Sequence, residues 1–97
     1  MSIADTIIHQ LGWNKFIAMT GCRNFINIGN GVTMHIPKNK SKANRLKISI
    51  NKYDTYDLTF TRVYRIFEVE TVQHIEGIDA DQLKVVFADI TGLATHL

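Results

Sequence analysis

The chain has 97 residues, 45% of them hydrophobic, with a mean hydropathy of −0.03 and a formal net charge of +2. That length suffices for one small domain (residues 1–97) and excludes two, and the composition excludes a disordered or low-complexity chain. No apolar run is long enough for a transmembrane helix, and the single cysteine, Cys22, excludes an intrachain disulfide.

Asp5 and His9 interrupt the short apolar region at the N-terminus and no basic segment precedes it, so a signal peptide is not expected. A lone thiol fits a reducing cytosol, with Cys22 as a buried, inert side chain. The small net charge conceals an asymmetry. Residues 1–65 carry ten Lys/Arg against three acids, whereas residues 66–97 carry Lys84 against six acids. If folding separates these halves, the surface is electrically polar.

Ser2 is placed to cap a helix whose apolar positions Ile3, Ala4, Ile7, Ile8 and Leu11 follow helical spacing, with Gly12 as the stop. Trp13 to Gly21 contains the apolar run Phe16-Ile17-Ala18-Met19, which fits a buried strand or another helical turn; a strand is expected. Ile26 and Ile28 then share one strand face, as do Val32, Met34 and Ile36. A three-residue loop, Gly29-Asn30-Gly31, sets Ile28 against Val32 and Ile26 against Met34, which keeps the apolar face intact.

After Pro37 comes a lysine-rich connection, then two alternating runs. Leu46, Ile48 and Ile50 alternate with Lys47, Ser49 and Asn51, and Tyr56, Leu58 and Phe60 with Asp57, Thr59 and Thr61. Matching their apolar faces requires an odd loop, Lys52-Tyr53-Asp54, pairing Ile50 with Tyr56 and Ile48 with Leu58. A tight connection is expected at Arg62-Val63-Tyr64-Arg65, the alternative being a bulge in one long strand. Phe67, Val69 and Thr71, on the opposite parity, begin a further antiparallel strand. Asp79 with Gln82 resembles a capping box, and Leu83, Val86, Phe87 and Ile90 form an apolar helical stripe that Gly92 ends. No internal repeat is evident. The expected fold is α+β: an antiparallel sheet of four to five strands, a hairpin meander, packed on one face by an N-terminal and a C-terminal helix.

The connection supplies the clearest chemistry. In an extended segment Lys38, Lys40 and Lys42 point the same way, with Arg45 and Lys47 nearby. Such a row suits a phosphate backbone, and Arg62, Tyr64 and Arg65 extend it; Tyr53 at the hairpin tip is placed to stack on a base. The competing reading is a solvated loop that keeps the protein soluble and guards a sheet edge. The modest total charge and the lack of a nucleic-acid motif favour that plainer reading. The acids Glu68, Glu70, Glu76, Asp79 and Asp81 read as solvated positions and a helix cap, or as a surface for a basic partner.

Catalytic and metal signals are weak. His9, His35, His74 and His96 form no paired ligand motif, and no P-loop, dinucleotide fingerprint or nucleophile elbow occurs. Neither an enzyme nor a cofactor is expected.

The segments NKFIAMTGCRNF (Asn14 to Phe25) and DADQLKVVFADITGLATHL (Asp79 to Leu97) resemble a family of small uncharacterised bacteriophage and prophage proteins, and NRLKISINKYDTYDLTF (Asn44 to Phe60) fits its pattern. Cys22-Arg23 departs from the alanine and lysine associated with that family. The resemblance implies a phage setting in a bacterial cytoplasm and function by binding, with no catalytic residue to carry over. The expected function is therefore that of a non-catalytic accessory protein. It binds nucleic acid or a host nucleic-acid-processing protein through Lys38, Lys40, Lys42, Arg45, Lys47, Arg62 and Arg65. Alternatives are a protein-binding inhibitor of host defence, such as an anti-CRISPR protein, and a self-associating structural protein.

Overall fold

The computed structural model describes residues 2–65 and 68–93. Two helices, α1 (Ile3–Leu11) and α2 (Trp13–Thr20), precede five strands: β1 (Arg23–Asn27), β2 (Gly31–His35), β3 (Arg45–Ile50), β4 (Tyr56–Arg65) and β5 (Glu68–Ile78). A 3₁₀ turn over Ala80–Gln82 leads into α3 (Leu83–Thr91). The strands form one open antiparallel sheet in sequence order, as the α+β meander expected from the alternation. Among the described residues, no helix is long and apolar enough to cross a membrane.

The core follows from the two periodicities. Val32, Met34, Leu46, Ile48, Leu58 and Phe60 come from one sheet face, and Ala4, Ile7, Leu11, Phe16, Leu83 and Phe87 from the helices laid over it. The predicted N-terminal helix is present, with the Ser2 hydroxyl accepting from the Asp5 N–H at 3.1 Å and Gly12 in the left-handed conformation. The central hairpin also has its predicted register, Ile50 opposite Tyr56 and Ile48 opposite Leu58.

Trp13 to Gly21 requires a correction: this segment is helical, not a strand. An apolar run this short carries no decisive period, and the helix is selected by what it buries. Phe16 enters the core edge-on to Phe87, ring centroids 5.0 Å apart. The Thr20 hydroxyl donates to the Phe16 carbonyl at 2.7 Å and accepts from the Cys22 N–H at 3.2 Å. Helix α3 ends the same way, Thr91 donating to the Phe87 carbonyl at 2.8 Å and accepting from the Leu93 N–H at 3.1 Å. Phe16-x-x-x-Thr20-Gly21 and Phe87-x-x-x-Thr91-Gly92 are thus one local device used twice, a buried ring and a hydroxyl-closed terminus before a left-handed glycine.

The first hairpin also departs from expectation. The Asn27 carboxamide accepts from the Gly29 N–H at 2.8 Å, and the Ile28 N–H donates to the Gly31 carbonyl at 3.1 Å. The loop is therefore Gly29-Asn30, two residues rather than three, and Ile26 lies opposite Thr33 instead of Met34. One residue of register reverses the face, so Ile26 and Ile28 point outward, 53% and 38% exposed, while Phe25 packs inward. A bulge between Arg23 and Ile26, with Asn24 at φ 58°, accommodates the reversal.

Arg62 to Arg65 is strand, not the expected tight connection. Arg62 lies opposite Glu70, Val63 opposite Val69 and Arg65 opposite Glu68. Register shifts at Phe60/Thr61 and Val63/Arg65 mark irregularities in the β4–β5 pair, but the alternative of one long strand is not formed either, because β5 runs antiparallel to β4. A further antiparallel strand does cover β4, from Glu68 onward, and the parity of Phe67 lies outside the described residues. The capping box at Asp79 does not form either. Asp79 makes no side-chain cap, because a 3₁₀ turn closed by the Gln82 N–H on the Asp79 carbonyl, 2.9 Å, precedes α3.

Candidate functional site

The lysine connection is not extended. Asn39 gathers it into a closed turn, its amide donating to the carbonyls of Pro37 at 2.8 Å and Ala43 at 2.7 Å. Its carbonyl oxygen accepts from the Ser41 N–H at 3.0 Å and from the Ser41 hydroxyl, which in turn accepts from the Ala43 N–H at 3.1 Å. Lys42 takes a left-handed conformation, φ 67°, to complete the reversal. The Ile36 N–H on the Asn44 carbonyl, 2.9 Å, closes the neck of the loop.

Two neighbours hold this turn in place. The Lys40 N–H donates to the Thr91 carbonyl at 3.1 Å, satisfying a free acceptor at the end of α3. The Asn44 amide donates to the Val63 carbonyl at 2.7 Å and its carbonyl oxygen accepts from the Val63 N–H at 2.9 Å, so the side chain acts as one more rung beside β4. Arg62 is thereby brought beside the lysines. Lys38, Lys40, Lys42 and Arg62 line one depression of ≈ 430 Å³ together with Ile36, Asn39, Ala43 and Asn44, and among the described residues no acid is in its walls. Arg62 continues the parity of Leu58 and Phe60, which turns it to the helix side of the sheet.

The other three predicted cations are elsewhere. Arg45 and Lys47 alternate with buried Leu46 and Ile48 and so occupy the opposite, outer face. Arg45 there borders a depression of ≈ 380 Å³ with Ile26 and His35. Arg65 pairs with Glu68 at 3.4 Å, an exposed contact that contributes little to stability. The charge halves meet along β4 and β5, where Arg62 and Arg65 stand opposite Glu70 and Glu68, so they are not segregated.

Tyr53 is also remote. It sits at the β3–β4 hairpin tip, with the Lys52 Nζ 5.1 Å from its ring centroid, and β3 separates it from the lysine loop by roughly 17 Å. The depression beside it is larger, ≈ 580 Å³, but Asp57 and Glu76 line it and would repel a phosphate. Tyr64 does not line the lysine depression but lies against Arg62, which does. The Arg62 guanidinium lies 5.5 Å from the Tyr64 ring centroid, and 53% of Tyr64 is exposed. The signal for this arrangement was Arg62-x-Tyr64 at strand spacing, hidden by the expectation of a turn.

Sequence reasoning also missed a hydroxyl–imidazole–carboxylate chain. The Thr59 hydroxyl lies 2.8 Å from the His74 Nδ1, and the His74 Nε2 lies 3.2 Å from Glu76. Thr59 and His74 are opposite each other in the β4–β5 register, so the contact is a cross-strand pair on an exposed face. Among the described residues, no group of three or more His, Cys, Asp or Glu is arranged to hold a metal ion; His96 lies outside them. Cys22 is buried, which pushes its thiol pKa up, with the Thr20 hydroxyl opposing.

Comparison of the chain with protein-family models, curated proteins and solved structures finds no match.

Proposed function

We propose that this chain is a non-catalytic, phage-type accessory protein that binds nucleic acid, alone or within a protein–nucleic acid complex, through the Pro37–Asn44 loop. One observation carries the reading. Lys38, Lys40 and Lys42, on a loop ordered by its own hydrogen bonds, and Arg62 on β4 line a single depression with no acid in its walls among the described residues. An ordered loop loses less conformational entropy on binding than a flexible one, and phosphate contacts release condensed counterions. Arg45 and Lys47, on the other face, are outside this surface.

Reversal of Lys38, Lys40 and Lys42 to glutamate tests the proposal. Retention on immobilised nucleic acid is expected to disappear while the melting temperature stays nearly constant, since all three side chains are exposed. Unaltered retention overturns it. A second reading, a protein-binding inhibitor of host defence, draws support from β5, an 11-residue edge strand carrying Glu68, Glu70 and Glu76. A host protein recovered with the chain after nuclease treatment, and lost when these glutamates are reversed, favours that reading instead.

A further inference from the structure

Resting on the nucleic-acid reading above, we infer that the ligand is a single strand, its phosphates held by Lys38, Lys40, Lys42 and Arg62 and one base stacked on Tyr64. Arg62 belongs to both halves of this site. It lines the basic depression and lies over the Tyr64 ring at 5.5 Å. A guanidinium covers one face of a ring and leaves the other for a second planar group, so arginine, tyrosine and base can stack in series.

The placement of Tyr64 distinguishes single from double strands. In a duplex each base face is covered by its neighbours, and a side chain beside the phosphates meets no free π surface. In a single strand the base turns away from its own phosphate and meets a ring placed next to a phosphate-binding arginine, here Arg62. Tyr64 is more than half exposed at the described end of β4, on the strand that carries Arg62, whereas Tyr53 stands among Asp57 and Glu76. Among the described residues, no element covers Tyr64 enough to give it a core role. The depression, ≈ 430 Å³, is of the size that takes a small polar ligand or one unit of a chain.

Fluorescence anisotropy on three labelled probes of equal length tests this: a deoxythymidine single strand, the corresponding duplex and an abasic single strand. The wild-type chain is expected to bind the single strand more tightly than either other probe. Tyr64→Leu should weaken single-strand binding about tenfold and leave the abasic probe nearly unchanged. Tyr64→Phe should retain wild-type affinity, because the ring face remains. Equal affinity for all three probes, or a neutral Tyr64→Leu, overturns the stacking inference while leaving the nucleic-acid reading intact. Failure of the wild-type chain to bind any probe at low salt overturns both. Thermal melting of each variant establishes that the fold persists, and if Tyr64→Leu does not fold, preference for the single strand over the abasic strand decides the matter.

Discussion

The carboxamide of Asn44 forms two hydrogen bonds to the backbone of Val63, donating to its carbonyl at 2.7 Å and accepting from its N–H at 2.9 Å. One side chain thus closes the lysine loop, prolongs the sheet and sets Arg62 beside Lys38, Lys40 and Lys42.

Asn44→Ala removes both bonds and leaves two part-buried backbone groups without that partner. A loss of roughly 1–3 kcal/mol in unfolding free energy is expected. Asn44→Asp keeps the acceptor and loses the donor, so it should fall between. Urea unfolding with two-state fitting measures both; an unaffected Asn44→Ala removes the proposed role of this pair.

Two glycines of the first hairpin should respond differently to alanine. At Gly31 an added Cβ meets the Ile48 carbonyl oxygen at 2.0 Å and the Ser49 Cα at 2.7 Å, so β2 and β3 must separate. Destabilisation of about 3 kcal/mol or more is expected. Gly29 has open space but φ +90°, so its alanine variant should lose only about 1–2 kcal/mol. Equal losses at the two positions contradict this account.

The repeated helix ending predicts a matched pair of effects. Thr20→Val and Thr91→Val each delete a buried hydroxyl that both donates and accepts. Each should cost about 1–3 kcal/mol, whereas serine at either position should largely preserve stability. If valine is as stable as threonine at both positions, the hydroxyls do not close these helices.

Cys22 makes stability depend on alkaline pH. Burial raises the thiol pKa in the folded chain, so folding favours the protonated form. Its contribution is complete below the unfolded-chain value, roughly 8.5, and is lost as pH rises from there towards the folded value. Between neutral pH and roughly pH 9.5, the wild-type chain should therefore lose more stability than Cys22→Ala. Parallel pH profiles from chemical unfolding reject the idea.

Four cations on one depression also predict a salt dependence. If all four meet phosphates, log affinity for a single strand should fall against log salt with a slope of roughly −3. Arg62→Ala should make that slope shallower by about 0.7, whereas Arg45→Ala, on the far face, should not change it. An identical effect of the two substitutions refutes the division of the cations between faces.

The sequence alone determined the elements in which local chemistry and period agree. Ser2, the isoleucine stripe and Gly12 specify α1, the central hairpin has a single register that matches its apolar faces, and Leu83 to Gly92 carry both stripe and stop. Tertiary structure decided the segments whose local signals were balanced. Phe16 to Met19 is helical because that form buries Phe16 against Phe87; Ile26 faces outward because the Asn27 side chain sets a two-residue turn; Arg62 to Arg65 stays extended because β5 and Asn44 pair with it. The same holds for the site. Sequence identified the cations, but a hydrogen-bonded loop and the two faces of a sheet decided that Arg62, with Tyr64 against it, joins Lys38, Lys40 and Lys42 while Arg45 and Lys47 do not. Proximity in space depends on contacts between residues far apart in the chain, and no local period encodes those.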